Sequence, residues 1–190
     1  MTRRGCDSGR GSWFRCRNGT AAVELALISP VFLTLFAGVV DFGRAYRAEL
    51  QLSSAVAAAG QYALLNVANI NSTNAASMAL TLSGIVANSN GAAWAGATVS
   101  VNGGSTSVVS GGVATAGGVA ANADNCWCPT GGVASWNYGA AVTCGRACAG
   151  GTLAGKFASI TGTRAFSAIL SSYGLISKST LSQSIIVQAQ

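Results

Sequence analysis

The chain has 190 residues, half of them hydrophobic, with 25 glycines, only six Phe, four Trp and four Tyr, and no histidine. The missing histidine removes the commonest general base and metal ligand, and five acids with two lysines form no acid/base or nucleophile constellation, so no enzyme and no cofactor are expected. The net charge of +6 is uneven: Arg3, Arg4, Arg10, Arg15 and Arg17 face only Asp7 before residue 19, and no basic cluster follows, which reads as a membrane-topology signal and not as a nucleic-acid surface.

Residues 19–40 form one apolar run interrupted by a single acid, Glu24. From Thr20 to Val40 a helix would rise about 31 Å, enough to cross a hydrocarbon core of about 30 Å. The run is longer than the 7–15 residues, roughly, of a secretory h-region, and no small-x-small site follows it. Pro30 removes one backbone donor and predicts a kink. A carboxylate within a span costs roughly 2.5–3.5 kcal/mol at its centre, so Glu24 demands a role. Asp41, Arg44, Arg47 and Glu49 mark the exit from lipid. The flanking charge places the N-terminus in the cytoplasm and the remainder in the periplasm of a single-pass inner-membrane protein. The helix is expected to continue to about Val67, with a mostly small-residue stripe of Ala45, Leu52 and Ala59 beside Glu49, Val56 and Ala63.

The string Gly19-Thr-Ala-Ala-Val-Glu-Leu-Ala-Leu-Ile-Ser-Pro-Val-Phe, followed by Asp41-Phe-Gly-Arg, resembles the start of TadE-like proteins, the pseudopilins of tight-adherence (Tad) pilus systems. Ala55-Val-Ala-Ala-Ala-Gly-Gln-Tyr-Ala is similar to the segment that ends the long helix of that family. The resemblance implies cleavage by a prepilin peptidase between Gly19 and Thr20. It also implies contacts with other pilins or pseudopilins, with the Tad assembly machinery and with membrane lipid. The chemistry of the residues is consistent with this. Glycine lets a peptidase approach the backbone closely. A new α-amine on Thr20 would be mostly protonated at neutral pH, and Glu24 lies one helical turn away to receive it, or to receive that of a neighbouring subunit.

Beyond a polar break at 69–74, Ser72 or Thr73 is expected to cap a second helix that runs to about Asn88 and buries Ala75, Met78, Ala79, Leu82 and Val86. Asn90-Gly91 supplies a stop. Thr98–Val101 and Ser107–Ser110 read as strands around an Asn102-Gly-Gly turn. Residues 110–125 have no periodicity and read as loop with weak strand character.

Cys126 and Cys128 face Cys144 and Cys148 across a loop bearing Trp and Tyr. Exported thiols favour disulfides. A bridge within C-x-C is strained, so links between the two groups are expected, with either cross-pairing open. Closing a loop of about 20 residues in this way is worth around 3 kcal/mol. A four-cysteine zinc site is disfavoured by the tight C-x-C spacing, and no metal is expected. Cysteine-bearing loops of this kind also occur in TadE-like proteins.

Lys156–Thr163 and Thr180–Gln188 read as further strands, the latter with Leu181, Ile185 and Val187 on one face. The expected architecture is α+β. A cytoplasmic basic leader (1–19) and a transmembrane helix (20–40) precede a pilin-like domain (41–190), which includes a Gly/Ala-rich loop at 102–125 and a cysteine-stapled loop at 126–148. The expected function is that of a pseudopilin or minor pilin in Tad (type IVb, Flp) pilus biogenesis. The competing reading is an uncleaved, membrane-anchored binding or adhesion module in which Trp94, Trp127, Trp136 and Tyr138 touch a partner or glycan.

Overall fold

The computed structural model describes residues 18–169 and 180–189. The arginine leader up to Arg17, with Cys6 and Cys16, lies outside the described residues. Helix α1 (Asn18–Leu65) runs unbroken for 48 residues, through Pro30. It divides by what it touches. From Ala21 to Phe36 every side chain is exposed except the half-buried Ser29. Further on, Ala48, Leu52, Ala55, Val56, Ala59 and Ala63 are buried against the rest of the chain. The expected stripe therefore faces the core at Leu52, Val56, Ala59 and Ala63, with Ala45 half-buried, whereas Glu49 is exposed and accepts a hydrogen bond from Gln183 Nε2 at 3.0 Å.

A single 3-10 turn (Val67–Asn69) leads to helix α2 (Ala75–Ala87). Neither Ser72 nor Thr73 caps it. Asn71 Oδ1 instead accepts the backbone N–H groups of Thr73 at 3.0 Å and Asn74 at 2.9 Å, a side-chain turn that Asn forms readily. The Ser72 amide is thereby left to donate to Asp124 Oδ1 at 2.9 Å, and it ties this connection to the far side of the domain. Helix α2 buries Ala75, Met78, Ala79, Leu82 and Val86 as the spacing predicts, and adds Ser83 and Ala87. The Ser83 hydroxyl is satisfied by the buried hydroxyl of Ser107, 2.8 Å away.

Strands β1 (Gly96–Val101), β2 (Ser105–Ser110) and β3 (Val113–Gly118) precede the short β4 (Cys126–Trp127) and β5 (Ala141–Val142), and β6 (Phe157–Ala165) and β7 (Thr180–Gln188) follow. The main sheet is antiparallel in the order β3-β2-β1-β6-β7, and β4 pairs with β5 separately. Register places Ala97, Val99 and Val101 opposite Gly162, Ile160 and Ala158, and these alternate positions form the floor on which α1 and α2 pack. Gly162 permits that packing. A Cβ there would stand 2.9 Å from both Leu52 Cδ1 and Val56 Cγ2 and 3.0 Å from Val86 Cγ1. The result is a two-layer α+β domain carried on one long helix.

The expected loop over 110–125 is corrected by β3, which pairs with β2 from Ser105–Gly118 to Ser110–Val113, and by a 3-10 turn at Ala120–Asp124. All six residues of β3 are exposed. It is therefore held by main-chain pairing at the sheet edge and leaves no alternating apolar signature.

Candidate functional site

Three features bear on function: the bare half of α1, the cysteine-stapled loop, and the junction between helix and sheet. In the first, Gly19 and Thr20 lie in the first turn of α1, and Glu24 follows on the same helix. Glu24 is exposed, as are its apolar neighbours Val23, Leu25, Leu27 and Ile28. An 18-residue window within Ala21–Leu65 reaches a mean hydropathy of 2.2 with none of it buried. An apolar surface of that extent, shared with no other part of the described chain, fits a membrane anchor.

In the second, Cys126 pairs with Cys144 and Cys128 with Cys148, at Cα separations of 5.0 and 5.5 Å. Both bridges cross between the two cysteine groups, and each sulfur is thereby taken from the thiolate form that zinc requires. The expected aromatic set does not form one surface. Trp127, Tyr138, Trp136 and Phe157 form a chain of edge-to-face contacts with ring centroids 5.3–5.7 Å apart. Trp94 lies elsewhere, packed near Leu52 and Leu181 under the guanidinium of Arg164. The Tyr138 hydroxyl reaches Ser100 O at 3.3 Å, so this cluster caps one end of the sheet face opposite the helices. Trp136, Leu153, Phe157 and Ile186 line an open cleft of about 400 Å³ beside it.

Asn102 organises this region, a role that exceeds the turn position read from the sequence. It is fully buried at φ 53°, and Gly103 follows at φ 63°, the paired positive values that a tight hairpin demands. Its Nδ2 donates to Ala123 O at 2.9 Å and Asn125 O at 2.7 Å, and its Oδ1 accepts Phe157 N–H at 3.0 Å. Its carbonyl accepts Trp127 Nε1–H at 2.9 Å. One residue thus ties β1, the 3-10 turn, the disulfide loop and β6 together. Only its tolerance of positive φ before Gly-Gly signals this in the sequence.

At the junction, Asp41 is not merely the polar end of a span. It is wholly buried, accepts the Ile169 N–H at 2.9 Å, and lies 3.6 Å from the Arg44 guanidinium. Farther along, Lys156 Nζ donates to Ile70 O at 2.7 Å. The hydrogen bonds from Ser72, aided by Lys156, hold the Asp124 carboxyl below its ordinary pKa. Among the described residues, no group of three or more potential metal ligands converges.

Comparison with curated proteins and with solved structures gives no match. Residues 19–61 match the family described as TadE-like protein. That segment covers the bare half of α1, Glu24, Asp41 and most of the stripe that docks on the sheet. The match is confined to this N-terminal segment, where the chain is similar to TadE-like proteins.

Proposed function

We propose that the chain is a minor pilin or pseudopilin of Tad pilus biogenesis, anchored in the inner membrane with its sheet domain in the periplasm. The prepilin peptidase cleaves it after Gly19, and the protein acts as that enzyme's substrate and as a structural subunit, without catalysis of its own. The observation that carries this reading is an unbroken helix whose apolar half touches nothing else in the described chain and bears one exposed carboxylate, Glu24. Such a surface needs lipid before assembly and the helices of other pilins after it. Within either apolar setting Glu24 needs a cation, which the new α-amine of Thr20 supplies. Because Gly19 and Thr20 lie in a helical turn, the peptidase must unwind that turn to reach the scissile bond, which a glycine at a helix end makes easy.

N-terminal sequencing of the membrane form, with and without the peptidase, tests the processing step. The expected start is Thr20 with the enzyme and Met1 without it, and Met1 in both refutes processing. Glu24→Ala should insert normally yet fail to assemble, and normal pili in that variant refute the pairing.

The aromatic cleft beside the disulfides favours a second reading, an uncleaved anchored module that binds a partner through Trp136 and Leu153. It requires an intact N-terminus and absence from sheared fibres.

A further inference from the structure

Just past the apolar run, α1 and the end of β6 enclose a cleft of about 290 Å³ lined by Arg44, Arg47, Gln51, Arg164, Phe166 and Ser167. Three arginines from two elements line it. Arg44 is 3.6 Å from Asp41, which offsets one charge from a fully buried position, and its guanidinium is 5.9 Å from the Phe166 ring. Arg164 is held over Trp94, 4.4 Å from the ring centroid. Arg47 is exposed and makes no ion pair among the described residues. Glu49 is bonded to Gln183 and does not line the cleft. The cleft is therefore left with excess positive charge and with donors of forked geometry, which suit the oxygens of a phosphate.

Its depth is set by the helix. Arg44 and Arg47 lie four and seven residues beyond Val40, or about 6 and 10 Å of rise. The headgroup layer occupies roughly the first 5–8 Å outside the hydrocarbon core, so Arg44 starts within it and Arg47 just above its outer edge. At the same level α1 exposes Phe42 and Tyr46, ring side chains of the kind that settle at the membrane surface.

We infer that this cleft binds the phosphate of an anionic phospholipid headgroup in the leaflet on the side of the sheet domain, an inference that rests on the membrane-anchored reading. The headgroup sits between α1 and β6, balances the three arginines, and fixes how the domain stands on the membrane. Neutralising one such arginine weakens association with an anionic lipid about fivefold.

The test is native mass spectrometry of the full chain in neutral detergent, offered equal amounts of phosphatidylglycerol and phosphatidylcholine. Preferential retention of phosphatidylglycerol is expected, about fivefold weaker in Arg47→Gln and about 25-fold weaker in Arg47→Gln/Arg164→Gln. Arg47 is exposed and makes no hydrogen bond or ion pair among the described residues, so the single variant decides the matter even where loss of Arg164 unfolds the domain. Equal retention of the two lipids, unchanged retention by Arg47→Gln, or displacement of the lipid by millimolar inorganic phosphate overturns the assignment. Alkaline extraction of membranes separates the two readings. Release of the full chain refutes anchoring itself, whereas a chain that resists extraction but shows no phosphatidylglycerol preference refutes only the headgroup site.

Discussion

Replacing Asn102 by Ala removes three hydrogen bonds and leaves their partners in place. Ala123 O, Asn125 O and Phe157 N–H lose the amide that satisfied them, and Ala123 and Phe157 are buried. Each buried group left unpaired costs about 1–3 kcal/mol. A Cβ-bearing residue without Asn's local hydrogen bonding adds about 1–2 kcal/mol at φ 53°. We expect a loss of about 4 kcal/mol for Asn102→Ala, or a fall in Tm of about 8–16 °C for a chain of this size. Asn102→Gly removes the same hydrogen bonds but relieves the backbone, so it should be about 1 kcal/mol less harmful than Ala. Asn102→Asp keeps the acceptor for Phe157 N–H but turns a carboxylate toward two carbonyls, and it should be at least as damaging as Ala. Denaturation of the full chain in detergent, followed by tryptophan emission, reads all three, with Trp127 reporting locally because its indole donates to the Asn102 carbonyl. Asn102→Ala within about 1 kcal/mol of the parent refutes the hub. Asn102→Gly falling below Asn102→Ala refutes the backbone part of the reasoning.

Removing the Cys128–Cys148 bridge by paired Ala substitution should cost about 3 kcal/mol in the same assay, because its sequence separation is 20 residues. Opening both bridges should cost less than twice that, since the closed loops overlap. Gly162→Ala forces a methyl against Leu52 and Val56 and should lower stability by about 1–2 kcal/mol in denaturant titration, with no change in the disulfides. Asp124, whose carboxyl is held below its usual pKa mainly by the Ser72 hydrogen bonds, supports the fold above the ordinary carboxylate range, because between its native and its unfolded pKa the unfolded state binds more protons than the native state. That support is lost as pH falls below about 4. The gap in Tm between the parent and Asp124→Asn should therefore close between neutral pH and pH of about 3, and a constant gap contradicts the assignment.

Where the fold was legible, a single physical signal dominated. Met78, Ala79, Leu82 and Val86 recur at helical spacing and all are buried. Leu181, Ile185 and Val187 alternate along one face of β7. The Gly–x4–Glu arrangement at residues 19–24 stands out because an acid in an apolar run is costly, and it lies within the segment that matches the family. The unread parts depend on partners distant in sequence. Val113–Gly118 becomes a strand because β2 offers a ladder, not because its own side chains bury. Asn102 finds its partners 21 to 55 positions away. Asn71 outcompetes Ser72 and Thr73 at the start of α2 because its longer amide reaches two backbone N–H groups at once. The four aromatics grouped by composition separate in space because Trp94 enters β1 from the end of the sheet opposite Tyr138.

The continuity of α1 has a mechanical consequence. A helix of 48 residues is about 72 Å long, and beyond Pro30 its apolar half and its docked half share one continuous helical backbone. Rotating or sliding the apolar half must therefore turn or shift the sheet domain with it, degree for degree and ångström for ångström. Inserting one residue between Val31 and Val40 would swing the domain by about 100° and raise it about 1.5 Å relative to Glu24, whereas inserting seven would nearly restore its azimuth. The distance in residues between Glu24 and Asp41 thus sets the facing direction of the domain, as the length and pitch of a threaded shaft set the angle of its handle.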